Sequence, residues 1–152
     1  MPDRLSQAQI ITPKAAQLSD CFMLRWRLLR KPWNQAIGSE QDAFDTTAMH
    51  CAILLDQTII ATGRCHFESA NNACIRYMAV AEEHQQQGLG SLLLQALETM
   101  AVNQSANRIT LQARDSCVEF YRRHGYAIIR ESHKLFDSIQ HYEMHKEITH
   151  HG

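Results

Sequence analysis

The segment Val80-Ala-Glu-Glu-His-Gln85-Gln-Gln-Gly88-Leu-Gly90-Ser91 holds the decisive pattern of this chain. A β-prone run, Cys74 to Val80, precedes it, and an apolar stripe at helical spacing follows: Leu89, Leu92, Leu93, Ala96, Leu97 and Met100. The segment is therefore a strand-to-helix turn. Gly88 and Gly90 let backbone approach a ligand closely, and a helix start offers N–H groups outside the hydrogen-bond ladder with the positive end of a dipole. That combination suits a phosphate or pyrophosphate. Two nucleotide patterns fit less well. A P-loop needs Lys and Ser/Thr after its second glycine, where Ser91-Leu92 stand, and a dinucleotide fingerprint needs a small residue where Leu93 stands. The plain alternative is a turn that uses glycine for geometry alone.

Working outward, Ala8 to Thr12 reads as a short strand. From Ser19, the residues Phe22, Trp26 and Leu29 recur at helical spacing until Pro32 closes the helix, with Arg25, Arg27 and Arg30 on the other face. Those arginines and Lys31 read as a solvated face; receiving an acidic substrate or carrier protein is the sharper alternative. Trp33 to Asp45 is polar and acidic, a loop with a helical turn. Cys51 to Leu55 and Thr58 to Thr62 join at Asp56-Gln57, and Arg64 to Phe67 and Cys74 to Val80 flank Asn71-Asn72, an antiparallel meander. Beyond the Gly-rich segment, Ile109 to Ala113 is a strand. Ser116-x-x-Glu119 has the capping-box pattern of a helix that Gly125 ends. Strands Tyr126 to Arg130 and His141 to Ile148 complete a mixed α/β (α+β) layout in one domain, residues 1–152.

Gln85-x-x-Gly88-x-Gly90, followed by Tyr121-Arg-Arg-His-Gly125-Tyr126, resembles the GNAT superfamily of N-acetyltransferases across Ala48 to Ile148. The resemblance implies a GNAT-like acyl-CoA acyltransferase fold, a mostly antiparallel mixed sheet of six to seven strands with helices on both faces. It also implies acetyl-CoA as cofactor. The backbone of Gln85, Gln86, Gln87, Gly88, Leu89, Gly90 and Ser91 would then hold the pyrophosphate of coenzyme A. Met78, Ala79 and Val80, on a bulged strand, would pair with the pantetheine arm, and Tyr121 would protonate the departing thiolate. The implied reaction is direct attack on the thioester by an amine of a small molecule or protein. Homodimers are common among resembling proteins.

Three positions depart from the family pattern. Several members carry a glutamate on the strand before the loop, yet Cys74 to Val80 contains none; Arg114 stands where many have Asn, and Glu82 where Pro is common. By chemistry His66, Glu68, Glu40, Asp42 and His141 are candidates for the base, each with surface or structural polarity as the plainer reading. The front of the chain, Arg25 to Pro32, Gly38-Ser-Glu-x-Asp42-x-x-Asp45 and Ile75 to Val80, is similar to the acetyltransferase half of bifunctional acetyltransferase/thioesterase proteins. Two other classes stand beside the enzyme: an acyl-CoA-binding or regulatory module with little turnover, linked to acyl-carrier or fatty-acid metabolism, and a nucleotide-binding protein.

Composition narrows the field without naming a function. With 45% hydrophobic and 20% charged residues among 152, disorder, collagen-like sequence and coiled coil are excluded. A formal charge of -1 gives no overall field toward nucleic acid or an anionic membrane. No apolar run reaches membrane-spanning length, and the start Met1-Pro2-Asp3-Arg4 shows no signal-peptide stretch, so a soluble cytoplasmic protein is expected. The cysteines Cys21, Cys51, Cys65, Cys74 and Cys117 are odd in number and set among apolar residues, as reduced thiols are. Nine histidines occur without a Cys-x-x-Cys or His-Glu-x-x-His pattern, and no metal is expected. His150-His151 stand at the terminus.

Overall fold

The computed structural model describes residues 4–149, so Met1-Pro2-Asp3 and His150-His151-Gly152 lie outside the described residues. Strands β1 (Gln9–Ile11), β2 (Met49–Leu55), β3 (Thr58–Ser69), β4 (Asn72–Val80), β5 (Arg108–Arg114), β6 (Ala127–Leu135) and β7 (Ile139–Glu147) form one seven-stranded sheet in the order β1-β2-β3-β4-β5-β7-β6. The helices are α1 (Ala15–Leu29), α2 (Leu89–Asn103) and α3 (Val118–Arg123). Pairing of β1 with β2, β5 with β7 and β6 with β7 is antiparallel, whereas β4 runs parallel to β5. Parallel neighbours need a long crossover, and α2 supplies it. The expected mixed, mostly antiparallel α+β architecture is what forms.

The chain divides into two compact units, Met1–Arg64 with Tyr77–Leu97, and Cys65–Arg76 with Glu98–Gly152. In the first, β2 and β3 are joined at Asp56 and Gln57, with φ of 48° and 62°, the paired left-handed geometry of a hairpin turn. The two runs expected on either side of Gly63 are one strand, β3. Gly63 is a point of close approach rather than a break: a Cβ there would stand 2.7 Å from Leu97 Cδ1 and 3.3 Å from Met78 Cγ. Helix α1 begins before Ser19, at Ala15, where Gln17 Oε1 accepts from the Lys14 N–H at 2.9 Å. Its buried side is Cys21, Leu24 and Arg25, while the expected stripe of Phe22 and Trp26 is only half-buried.

In the second unit, β5 alternates buried Ile109, Leu111 and Ala113 with exposed Arg108 and half-buried Thr110, Gln112 and Arg114. The turn before β4 lies at residues 70–71, one position ahead of Asn71-Asn72. The capping box at Ser116 does not form. Helix α3 opens from a 3-10 turn, Asp115–Cys117, without a side-chain cap, and Glu119 bonds Arg122 at 3.0 Å instead. Its other end follows the expectation: Gly125, at φ 92°, donates to Arg122 O and Tyr126 N–H donates to Tyr121 O, at 3.0 and 3.1 Å. That pair of bonds is a Schellman motif, whose flanking contact is the edge-on packing of Tyr121 against Tyr126.

Candidate active site

The Gly-rich segment is built from its backbone outward. Within β4, Tyr77 takes φ 57°, the left-handed residue that marks a strand bulge, immediately before Met78. Ala79 is buried, and Met78 and Val80 are half-buried. Ala81 N–H then donates to Ile60 O at 2.8 Å, which ties the strand end to β3. A 3-10 turn, Glu82–His84, leads to Gln85, whose Nε2 donates back to Val80 O at 3.0 Å. The Gln85 side chain thus holds the loop closed on its own strand. Gln86 and Gly88 follow with φ of 63° and 82°, and Gln85, Gln86, Gln87 and Gly88 are exposed. Left-handed residues alternating with ordinary ones turn successive N–H groups toward one side, the concavity that cradles anions.

Helix α2 starts at Leu89, which is buried and anchors the turn. The bond from Leu92 N–H to Gly88 O at 3.2 Å leaves the preceding amides outside the i→i−4 ladder. Nothing lies within 4 Å of where a Gly88 Cβ would point, so conformation and not space requires glycine there. Met78 to Val80 and Gln85 to Ser91 are therefore gathered in the first unit.

Tyr121 belongs to the second unit. It is half-buried on α3, with Phe120 and Tyr126 packed edge-on at 5.0 and 5.8 Å between ring centroids. Burial, assisted by Cys117, pushes its phenol well above the ordinary tyrosine value, so it keeps its proton at neutral pH. Tyr126 is raised too, by burial and by Glu98, whose Oε2 accepts from its hydroxyl at 2.9 Å and from Lys146 Nζ at 3.1 Å.

The candidates for a base are scattered. Glu40 is buried, and its carboxylate accepts from Gly38 N–H at 2.8 Å and from Gln41 Nε2 at 2.7 Å. Asp42 accepts from Arg64 and caps a 3-10 turn, Ala43–Thr46, through Phe44 N–H. His141 is buried, stacks on His133 at 4.4 Å and donates from Nδ1 to Ile139 O at 2.9 Å. His66 and Glu68 stand close together in the second unit.

Sequence reasoning missed a buried ionic cluster beside the bulge. Arg25, expected on a solvated face, is fully buried, whereas Arg27 and Lys31 are exposed and Arg30 is half-buried. Asp45 makes that burial possible: its Oδ1 accepts from Arg25 Nη1 at 2.9 Å and from Arg64 Nη1 at 3.1 Å. Burial alone would raise the Asp45 carboxyl, but the Asp42 N–H and both guanidiniums hold it below the usual range. His50 is pushed down by burial and by the two arginines. As a neutral ring it donates from Nε2 to Asp45 O at 2.9 Å and leaves Nδ1 to accept from Arg25 Nη2. Tyr77 sits over both guanidiniums, with ring centroid 4.6 Å from Arg25 and 4.9 Å from Arg64, and its hydroxyl donates to Asp42 Oδ2 at 3.4 Å. Arg64 inside an apolar strand run, and the i, i+3 pair Asp42 and Asp45, were the available signals.

A family model described as the acetyltransferase (GNAT) family matches residues 18–126. The chain belongs to the GNAT family. An uncharacterized N-acetyltransferase of Bacillus subtilis (strain 168), YjcF, is 27% identical over 138 residues, covering 91% of this chain and 98% of that protein. An acyl-CoA N-acyltransferase from Pseudomonas aeruginosa shares the fold with a TM-score of 0.79 at 18% identity, over 91% of this chain and 97% of the other. A GNAT acetyltransferase from Elizabethkingia anophelis with acetyl-CoA bound aligns with a TM-score of 0.73 at 14% identity, over 94% and 99% of the two chains. This GNAT protein is an acyltransferase by family. Among its described residues no helix is long and apolar enough to cross a membrane.

Proposed function

We propose that this GNAT enzyme transfers an acetyl group from acetyl-CoA to an amine of a small molecule or protein, by direct attack of the amine on the thioester carbon. The observation that carries the reading is the exposed backbone of Gln85 to Gly88, left-handed at Gln86 and Gly88, running into the start of α2. Such a cradle fits a pyrophosphate, because its donors are amides that need no lysine or arginine.

Acetyl-CoA supplies a thioester carbon and a thiolate leaving group. The chain's part is to bind, orient and move protons. Backbone amides from Gln85 to Ser91 hold the diphosphate. The half-buried edge at Met78 and Val80 pairs with the pantetheine arm, and an N–H at Met78 or Ala79, displaced by the Tyr77 bulge, stabilises the developing oxyanion. As the C–N bond forms and the C–S bond breaks, Tyr121 gives its retained proton to the sulfur. A lysine-type amine must lose its own proton first, at about 4.6 kcal/mol near pH 7. Glu40 and Asp42 are committed to hydrogen bonds within the fold, so that proton leaves by another route.

Thermal unfolding with coenzyme A, ATP or NAD tests the cradle. Coenzyme A at a hundredfold excess over its dissociation constant should stabilise by about 2.7 kcal/mol, and ATP and NAD should not. Gly90→Glu, which sets a carboxylate against the diphosphate, should remove the effect. Thiol release from acetyl-CoA over an amine panel then tests transfer. Stabilisation by ATP or NAD alone, or undiminished coenzyme A binding by the glutamate variant, would overturn the assignment.

A further inference from the structure

In the second unit, β3 and β4 bring together three side chains of metal-ligand type. His66 and Glu68 stand two apart on β3 and Cys74 lies on β4; one ring nitrogen, one carboxylate oxygen and the Sγ all fall within 4.8 Å of one another. His66 Nε2 is 3.7 Å from Glu68 Oε1. His66 and Cys74 are buried, whereas the Glu68 side chain is 54% exposed, so a dry nitrogen and sulfur are closed from outside by a carboxylate in contact with water.

The surroundings point to an occupant. Glu68 and Cys74 line an open cavity with Asn72 and Gln112; of the arginines along the same wall, Arg108 is paired with Glu147 and Arg130 with Glu143, and no residue of the Gly-rich loop lines it. Asn72 Oδ1 and Gln112 Oε1 are buried there without a hydrogen-bond partner. An orphaned buried acceptor is costly, and a cation or its bound water offsets that loss.

We propose that His66, Glu68 and Cys74 form a binding site for a zinc ion, with solvent or the Asn72 carboxamide completing the shell. The donor set chooses the metal. Imidazole with thiolate favours zinc over magnesium and calcium, and one thiolate with one carboxylate balances a divalent charge. Ligands about 2.0–2.3 Å from zinc lie roughly 3.5 Å from each other, a closing movement that exposed Glu68 is free to make. In the metal-free site Cys74 is a buried free thiol. On binding, the S–H bond breaks, the S–Zn bond forms and the proton passes to the buffer.

The test titrates ZnCl2 into chelator-treated full-length protein, with MgCl2 as control, and repeats it with CoCl2. One equivalent of zinc should bind at micromolar concentration or tighter with release of one proton, and cobalt should show a thiolate charge-transfer band. Cys74→Ala, which removes one atom from a buried site, should abolish the band and weaken zinc at least tenfold. Glu68→Gln, a surface change that leaves the fold intact, should weaken zinc about tenfold. Absence of binding, or equal binding by wild type and Cys74→Ala, would overturn the site, the latter by locating zinc on other histidines.

Discussion

At the scale of single residues, environment decides role. Tyr121 and Tyr126 lie five positions apart, and burial raises both phenols; the Tyr126 hydroxyl is bound to the Glu98 carboxylate, whose charge raises it further. For Tyr121→Phe we expect turnover to fall by about 10²-fold, the lower end of general-acid effects, with coenzyme A affinity unchanged. Steady-state kinetics beside a binding titration check this; unaltered turnover would remove the acid role. Arg25 shows the opposite relation, a charge kept for structure. Its guanidinium is fully buried against Asp45 and beneath the Tyr77 ring. Arg25→Met leaves Asp45 with one partner fewer in a buried place, and should destabilise the fold by about 3 kcal/mol in urea unfolding. A loss below roughly 1 kcal/mol would place the pair among weak, solvated bridges.

Elements carry a different kind of constraint, set by how closely backbones approach. Gly63→Ala should destabilise by about 1–3 kcal/mol, because its new Cβ would stand 2.7 Å from Cδ1 of the fully buried Leu97 and force that side chain to shift. Denaturant midpoints measure this, and a neutral result would show that α2 shifts freely over β3. The same glycine explains part of what was legible in the sequence. Pattern located β2, β4, β5 and α2 to within a few residues: β5 alternates and α2 carries an apolar stripe, whereas β2 and β4 read as short apolar runs because His50 to Ile53 and Ala73 to Ile75 are buried on both faces. Gly63 looked like punctuation because sequence shows a missing side chain and not the neighbour that forbids one. Ser116-x-x-Glu119 matched a capping box, but Ser116 lies inside the 3-10 turn Asp115–Cys117 and Glu119 bonds Arg122. The Gly-rich turn was readable because its chemistry is local. The Arg25, Asp45 and Arg64 cluster was not, because its members lie 19 and 20 positions apart and each alone resembles a surface charge.

For the molecule as a whole, the buried ionic cluster makes stability depend on pH in a definite direction. Both His50 and Asp45 have folded values below their ordinary ones. The unfolded chain therefore binds protons that the folded chain does not, and stability is complete only above roughly pH 6.5. It should fall first below about 6.5, as unfolded His50 takes up a proton, and again below about 3.9, as Asp45 does. Urea midpoints at pH 8, 5.5 and 3.5 should decrease in that order. His50→Gln, which retains an N–H donor for Asp45 O, should flatten the first interval; an unchanged slope would assign it to other histidines.

The division into two units also has a consequence for the growing polypeptide. The chain passes from one unit to the other within β3, within β4 and within α2, so neither unit is a continuous stretch. During synthesis the first unit cannot close until Leu97 has left the ribosome, although most of its residues precede Cys65. One edge of β4, Asn72 to Ile75, awaits Arg108 to Leu111, which emerge only after all of α2. Through that interval a nascent chain displays an unpaired strand edge, the feature that draws chaperones or neighbouring chains.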